Sequence, residues 1–158
     1  MSESNQTALS KALELLSKRS YSKAILKEKL LLRDFEENET SQAIKKLESL
    51  GFIDDKKFAE NLVREYSEFK RYGRQRIKLK LREKKIPEEI ASEALENIEL
   101  EIEENNLKEL VKKNLNKNKN LSREKRYTRT LGFLLRRGFS YELSKKALQE
   151  GLSSLDLE

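Results

Sequence analysis

Apolar residues recur every three or four positions along most of the chain, as in Ala8-Ala12-Leu15-Leu16 and Ala43-Ile44-Leu47-Leu50, and that spacing predicts amphipathic helices. One stretch reads differently. Ile77-Lys78-Leu79-Lys80-Leu81 alternates as a strand would, but it is embedded in Arg, Gln, Lys and Glu, which favour helix, so helix is expected there too. Local chemistry sets the boundaries. Ser20 or Ser22, Thr40, Asp54, Ser122 and Ser140 suit amino-terminal caps, and Pro87 suits a first helical turn. Gly51, Gly138 and Gly151 suit helix ends that need a left-handed residue. Nothing in the pattern asks for a sheet.

The apolar pattern also repeats. At an offset of 51, Ala8, Ala12, Leu15 and Tyr21 fall on Ala59, Val63, Tyr66 and Tyr72, while Leu26, Leu30 and Phe35 fall on Ile77, Leu81 and Ile86. Ala43, Ile44 and Leu47 continue the register onto Ala94, Leu95 and Ile98. At an offset of 104 a more divergent copy matches Leu30, Phe35, Ala43 and Ile44 to Leu134, Phe139, Ala147 and Leu148. Core positions persist while surface letters change, which is how a repeated structural unit reads. The expected fold is therefore all-α: three tandem three-helix repeats over 8–53, 54–101 and 102–152 in an elongated, curved arrangement. Helices this short must bury their apolar faces together, and neighbouring units are expected to stack. The glutamate-rich Glu96 to Glu104 stretch is the expected hinge between the second and third units. The tail from Leu152 to Glu158 is expected to be loosely ordered.

Composition narrows the chemistry. The 158 residues include no Cys and no His, which removes disulfides, thiolate nucleophiles, thiolate or imidazole metal sites and the usual general base. Gly73, Gly132 and Gly138 fit neither a phosphate-binding loop nor a dinucleotide fingerprint. Asp54-Asp55 could in principle hold a divalent metal, but a cap and a second acid in a first helical turn explain both residues. No catalysis, no cofactor and no metal are expected. The amino terminus lacks a signal peptide and no apolar run approaches a membrane span, so a cytoplasmic protein is expected. Self-contained repeats make a monomer the expected state.

Charge is distributed in blocks. The total is 34 Lys plus Arg against 28 Asp plus Glu, yet residues 70–85 hold nine basic and one acidic side chain, residues 96–109 one and six, and residues 112–137 ten and one. At about 100° per residue, Arg71, Arg74, Lys78, Arg82 and Lys85 fall within one stripe roughly 80° wide beside Ile77 and Leu81. Lys125, Arg129 and Arg136 share a similar stripe on the equivalent helix, facing away from Tyr127, Leu131, Leu134 and Leu135. Such crowding repels itself, which an anionic partner would offset, and arginine suits phosphate or carboxylate through its planar fork. A base-reading helix would mix in Asn, Gln, Ser or Thr, so non-specific phosphate contact with steep salt dependence is expected. Base stacking could use Tyr66, Phe69 or Tyr72, although aromatics at helical spacing belong more often to a core.

Four segments carry a family resemblance. Leu50-Gly51-Phe52-Ile53-Asp54-Asp55-Lys56-Lys57-Phe58-Ala59 resembles the characteristic motif of the bacterial RecX regulatory proteins. Tyr21-Ser22 with the helix to Leu32, Tyr72-Gly73-Arg74 through Ile86-Pro87, and Leu135-Arg136-Arg137-Gly138-Phe139-Ser140-Tyr141-Glu142 resemble that family's first, second and third repeats. Lys85 departs from the pattern, since the family often has glycine there. The resemblance implies a non-enzymatic modulator, mostly an inhibitor, of the RecA recombinase that binds along the groove of the RecA–DNA filament and affects ATP hydrolysis and strand exchange. It implies DNA-facing roles for Arg71, Arg74, Lys78, Arg82, Lys85, Lys125, Arg129 and Arg136, and folding roles for Asp54, Asp55 and Phe58. The alternatives are a stand-alone, non-specific nucleic-acid-binding module and a plain helical scaffold.

Overall fold

A computed structural model describes residues 5–158, and among them the chain is helical throughout, with no strand. The first unit comprises α1 (Ala8–Lys18), α2 (Lys23–Leu31) and α3 (Glu37–Ser49). The second comprises α4 (Asp55–Arg64), which continues into a π-helical turn over Glu65–Phe69, then α5 (Arg74–Glu83) and α6 (Glu88–Glu96). The third comprises α7 (Leu100–Lys117), α8 (Arg123–Arg136) and α9 (Tyr141–Leu155). In each unit the first and third helices pack along one another and the second closes the trio.

Each trio has its own apolar cluster, built around Leu26, Leu30 and Leu47, around Ile77, Leu81 and Ala59, and around Leu134, Phe139 and Leu148. Separate cores in series make a long molecule. The chain exposes 10886 Å², roughly a third above the ~8,200 Å² expected for a compact monomer of its mass. The alternating stretch at Ile77 resolves as helix, with Ile77 and Leu81 fully buried and Leu79 left 54% exposed.

The repeat is visible atom by atom where each second helix ends. Phe35, Ile86 and Phe139 donate their backbone N–H to Leu30, Leu81 and Leu134, at 3.4, 3.1 and 3.2 Å. The residues just before them, Asp34, Lys85 and Gly138, are left-handed, with φ of 64°, 55° and 94°. This reversal closes the helix and returns an apolar residue to the core. Only the third unit uses glycine there, so Lys85 carries backbone strain that its sequence departure foreshadowed. Lys85→Gly is expected to raise stability by about 0.5 kcal/mol, strain relief being partly cancelled by the freer unfolded chain. A urea midpoint that falls in this variant would contradict that assignment.

Ser22, Asp54, Ser122 and Ser140 cap as expected, accepting the backbone N–H three residues on from Ile25, Lys57, Lys125 and Leu143. Four expectations are corrected. Thr40 is buried inside α3, four residues in, and Glu36 takes the cap position without a side-chain bond. Pro87 occupies the cap of α6 and not its first turn. Gly151 lies within α9, where a Cβ would come 2.5 Å from Val111 Cγ1, so it is small because α7 passes against it. The tail is also more ordered than expected: α9 runs to Leu155, Leu152 is buried, and Arg123 holds Asp156 at 2.6 Å.

Candidate polyanion-binding surface

The α5 stripe was expected to need an external anion, but the chain supplies its own. Arg71 pairs with Glu109 at 3.1 Å, Lys78 with Glu88 at 3.0 Å, Arg82 with Glu88 at 4.0 Å, and Lys85 with Glu28. These exposed pairs are each worth about 0–1 kcal/mol and yield to salt, so the cations remain able to exchange partners. Helical periodicity places Arg74, Lys78 and Arg82 together; Arg71 and Lys85 stand beyond the helix ends, with left-handed φ of 54° and 55°.

Arg74 is a different case and corrects two expectations. Its Nε donates to Glu103 Oε2 at 3.0 Å, Nη2 to the Ile98 carbonyl at 2.7 Å, and Nη1 to the Leu95 carbonyl. The Glu103 side chain is only 7% exposed. The guanidinium therefore serves the fold by closing the carboxyl end of α6 and pinning α7, and is not a free cation. For the same reason Glu96 to Glu104 is a clasp and not a hinge.

The π-helical turn fastens the second unit to the third as well. Its wider winding frees the Ser67 carbonyl, which accepts from Asn106 Nδ2 of α7 at 2.8 Å. Tyr66 on this turn stacks on Tyr72 with centroids 5.9 Å apart, which assigns both rings to packing, whereas Phe69 is 77% exposed.

The amino end of α5 docks onto the carboxyl end of α8. Gly73 donates its N–H to the Arg137 carbonyl at 2.8 Å, and Gln75 to the Gly138 carbonyl at 3.1 Å. The approach demands two glycines: a Cβ on Gly73 would lie 2.3 Å from the Gly138 carbonyl carbon, and one on Gly138 2.4 Å from Arg76 Cβ. Around this contact Arg76 lies over the Tyr72 ring at 4.1 Å and donates to the Arg136 carbonyl at 3.3 Å. Arg137 covers Tyr72 from 5.0 Å and Phe133 from 5.7 Å, and burial lowers its pKa from the usual arginine value.

The joint brings cations of the two basic blocks together. A groove of about 310 Å³ runs between α5 and α8, with Arg76, Lys80 and Arg136 beside Leu79 and Leu135. Leu135 is 40% exposed and so belongs to this groove and not to the apolar face assigned to it. Arg136, Arg129 and Lys125 follow one another along α8, all exposed, and none is ion-paired among the described residues. Arg76 and Arg137 escaped the sequence reading because Arg76 lies on the other side of α5 from the stripe. The available signal was the pair Gly73 and Gly138, each flanked by arginine.

Asp54 and Asp55 are both taken up in helix capping. Asp54 caps α4, while Asp55 reaches back to accept the Lys23 N–H at 2.9 Å, capping α2 of the preceding unit. Among the described residues no cluster of Asp and Glu could hold a metal ion, and no helix is long and apolar enough to cross a membrane. The arrangement is suited to holding an extended anion through many weak contacts.

Residues 8–47, 54–95 and 101–148 match the family models described as the first, second and third three-helix domains of RecX. A protein named Regulatory protein RecX from Amycolatopsis mediterranei is 29% identical over 145 residues, covering 92% of this chain and 83% of that protein. One of the same name from Clostridioides difficile is 31% identical over 146 residues, covering 92% of this chain and 68% of that one. The crystal structure of RecX from Lactobacillus salivarius superposes with a TM-score of 0.85 at 30% identity, over 91% of this chain and 94% of the other. With three domain models in unbroken order and likeness across more than nine-tenths of its length, the chain belongs to the RecX family of regulatory proteins.

Proposed function

We propose that the protein binds the nucleoprotein filament of the RecA recombinase and modulates, mostly by inhibition, its ATP hydrolysis and strand exchange. It acts in the cytoplasm as a monomer and catalyses no reaction of its own. The observation that supports this reading best is the α8–α5 joint, which sets cations of two units along one seam of a long molecule. DNA contact is through phosphates, by Lys125, Arg129 and Arg136 on α8 together with Arg76 at the groove. Arg71, Lys78, Lys80, Arg82 and Lys85 join after exchanging their internal carboxylates for phosphate. Arg74 contributes by holding the frame on which the others sit.

The test adds the protein to RecA filaments on single-stranded DNA and follows ATP turnover. Turnover should fall at concentrations well below those that coat bare DNA; a fall only once free DNA is saturated would favour a stand-alone nucleic-acid-binding module. Replacing Lys125, Arg129 and Arg136 together by alanine should leave the helices intact and lower the slope of log affinity against log salt by about 2 on single strands. An unchanged slope would remove α8 from the contact surface.

A further inference from the structure

We propose that the cleft between the first and second units is a second anion site, one that takes a phosphate-bearing ligand. The cleft has a volume of about 480 Å³ and lies between the α1–α2 loop with one face of α2 on one side and α4, its π-helical turn and the residue just past α5 on the other. Three cations line it, Arg19, Lys29 and Lys84, against a single acid, Glu65. None of the three is ion-paired among the described residues, unlike those of the α5 stripe.

Two of them are instead held by an aromatic ring. The Arg19 guanidinium lies 5.4 Å from the Tyr21 centroid and donates from Nε to the phenol oxygen at 3.2 Å, while Lys29 Nζ lies 5.2 Å from the same ring. A ring fixes the position of a cation without neutralising it, so the charge remains available to a ligand. The Tyr21 phenol registers the resulting potential: its pKa is lowered, first by the Arg19 hydrogen bond and then by the charges of Arg19, Lys29 and Arg33. Asn61 adds an amide to the lining and Tyr66 an aromatic edge. Fixed unpaired cations, a hydrogen-bonding amide and a half-apolar wall are what a phosphate linked to a sugar or base requires. The phosphate can belong to a polynucleotide backbone or to a free nucleotide.

The site is independent of the filament reading, because it can be probed without recombinase. The isotope-labelled full chain is titrated separately with a short oligothymidylate, with ATP and with inorganic phosphate, and amide resonances are followed by NMR. Saturable shifts concentrated at Ser20, Ser22 and the Asn61 side chain are expected. Response to the oligonucleotide alone identifies a backbone phosphodiester, and response to ATP or phosphate a free phosphate. Arg19→Ala with Lys29→Ala should weaken binding about tenfold, whereas Lys45→Ala with Lys46→Ala, exposed on α3 and outside both surfaces, should leave these shifts in place. If the first pair loses helicity by circular dichroism, Lys84→Ala, on the opposite wall of the cleft, repeats the test with an expected loss of several-fold. Absence of saturable shifts with all three probes, shifts spread evenly over every basic helix, or undiminished affinity in a folded variant would each overturn the proposal.

Discussion

Replacing Arg74 by leucine should cost about 3 kcal/mol of stability, the lower end for breaking a buried ion pair, because a third of the arginine side chain still meets water. The loss is larger than for any other cation of the stripe. Leucine leaves the Glu103 carboxylate buried beside the apolar groups of α7 and removes the donors that close the Leu95 and Ile98 carbonyls. Most of the penalty is that of the charge left behind, so Arg74→Leu combined with Glu103→Leu should recover a large part of it. Urea unfolding of the two single variants and the double variant measures the cycle. A cost below about 1 kcal/mol for Arg74→Leu would return this residue to the class of exposed surface pairs and revive its sequence-based role as a free cation.

Gly73→Ala is the second large effect, expected at about 2–4 kcal/mol, since the added methyl meets the Gly138–Phe139 backbone and no side chain can swing away. Gly138→Ala should cost at least as much, because its φ of 94° adds strain to the overlap with Arg76. Both variants should part the second and third units before melting either core. Hydrogen exchange would then accelerate first at the Gly73 and Gln75 amides, whose acceptors are the Arg137 and Gly138 carbonyls just past α8. Gly132→Ala is the control: its methyl would meet only the end of the Arg136 side chain at 3.2 Å, and removing a mid-helix glycine should stabilise by up to about 1 kcal/mol. A Gly73→Ala variant as stable as the unaltered protein would show that the joint does not constrain this position.

These two sites mark where the sequence could and could not be read. Apolar periodicity identifies which face of a helix is buried, and the offsets of 51 and 104 recover the repeated core down to Leu30, Leu81 and Leu134. Caps were legible because they act within three residues, as Ser22, Asp54, Ser122 and Ser140 do. Thr40 and Gly151 were misread because what decides them is a neighbour across the unit and not along the chain. Arg74 shared a stripe with Lys78 and Arg82, but periodicity cannot say that a carboxylate 29 residues on faces one of the three. The acidic block lies between two basic blocks along the chain; in space part of it neutralises one of them, through Glu103 and Glu109. The π-helical turn is not marked by the apolar spacing, and what accompanies it is a contact across units, the Ser67 carbonyl accepting from Asn106.

The docking of α5 on α8 gives the molecule a sense of direction. Each helix carries about half a positive charge at its amino tip and half a negative charge at its carboxyl tip, and here one tip of each kind is set against the other. The unmatched poles then stand at the outer ends, the positive one at Ser122 beside Lys125 and the negative one past Glu83. An anion laid along the joint is favoured within about one turn of the α8 amino tip and disfavoured within about one turn of the α5 carboxyl tip, where Lys84 and Lys85 offset that pole.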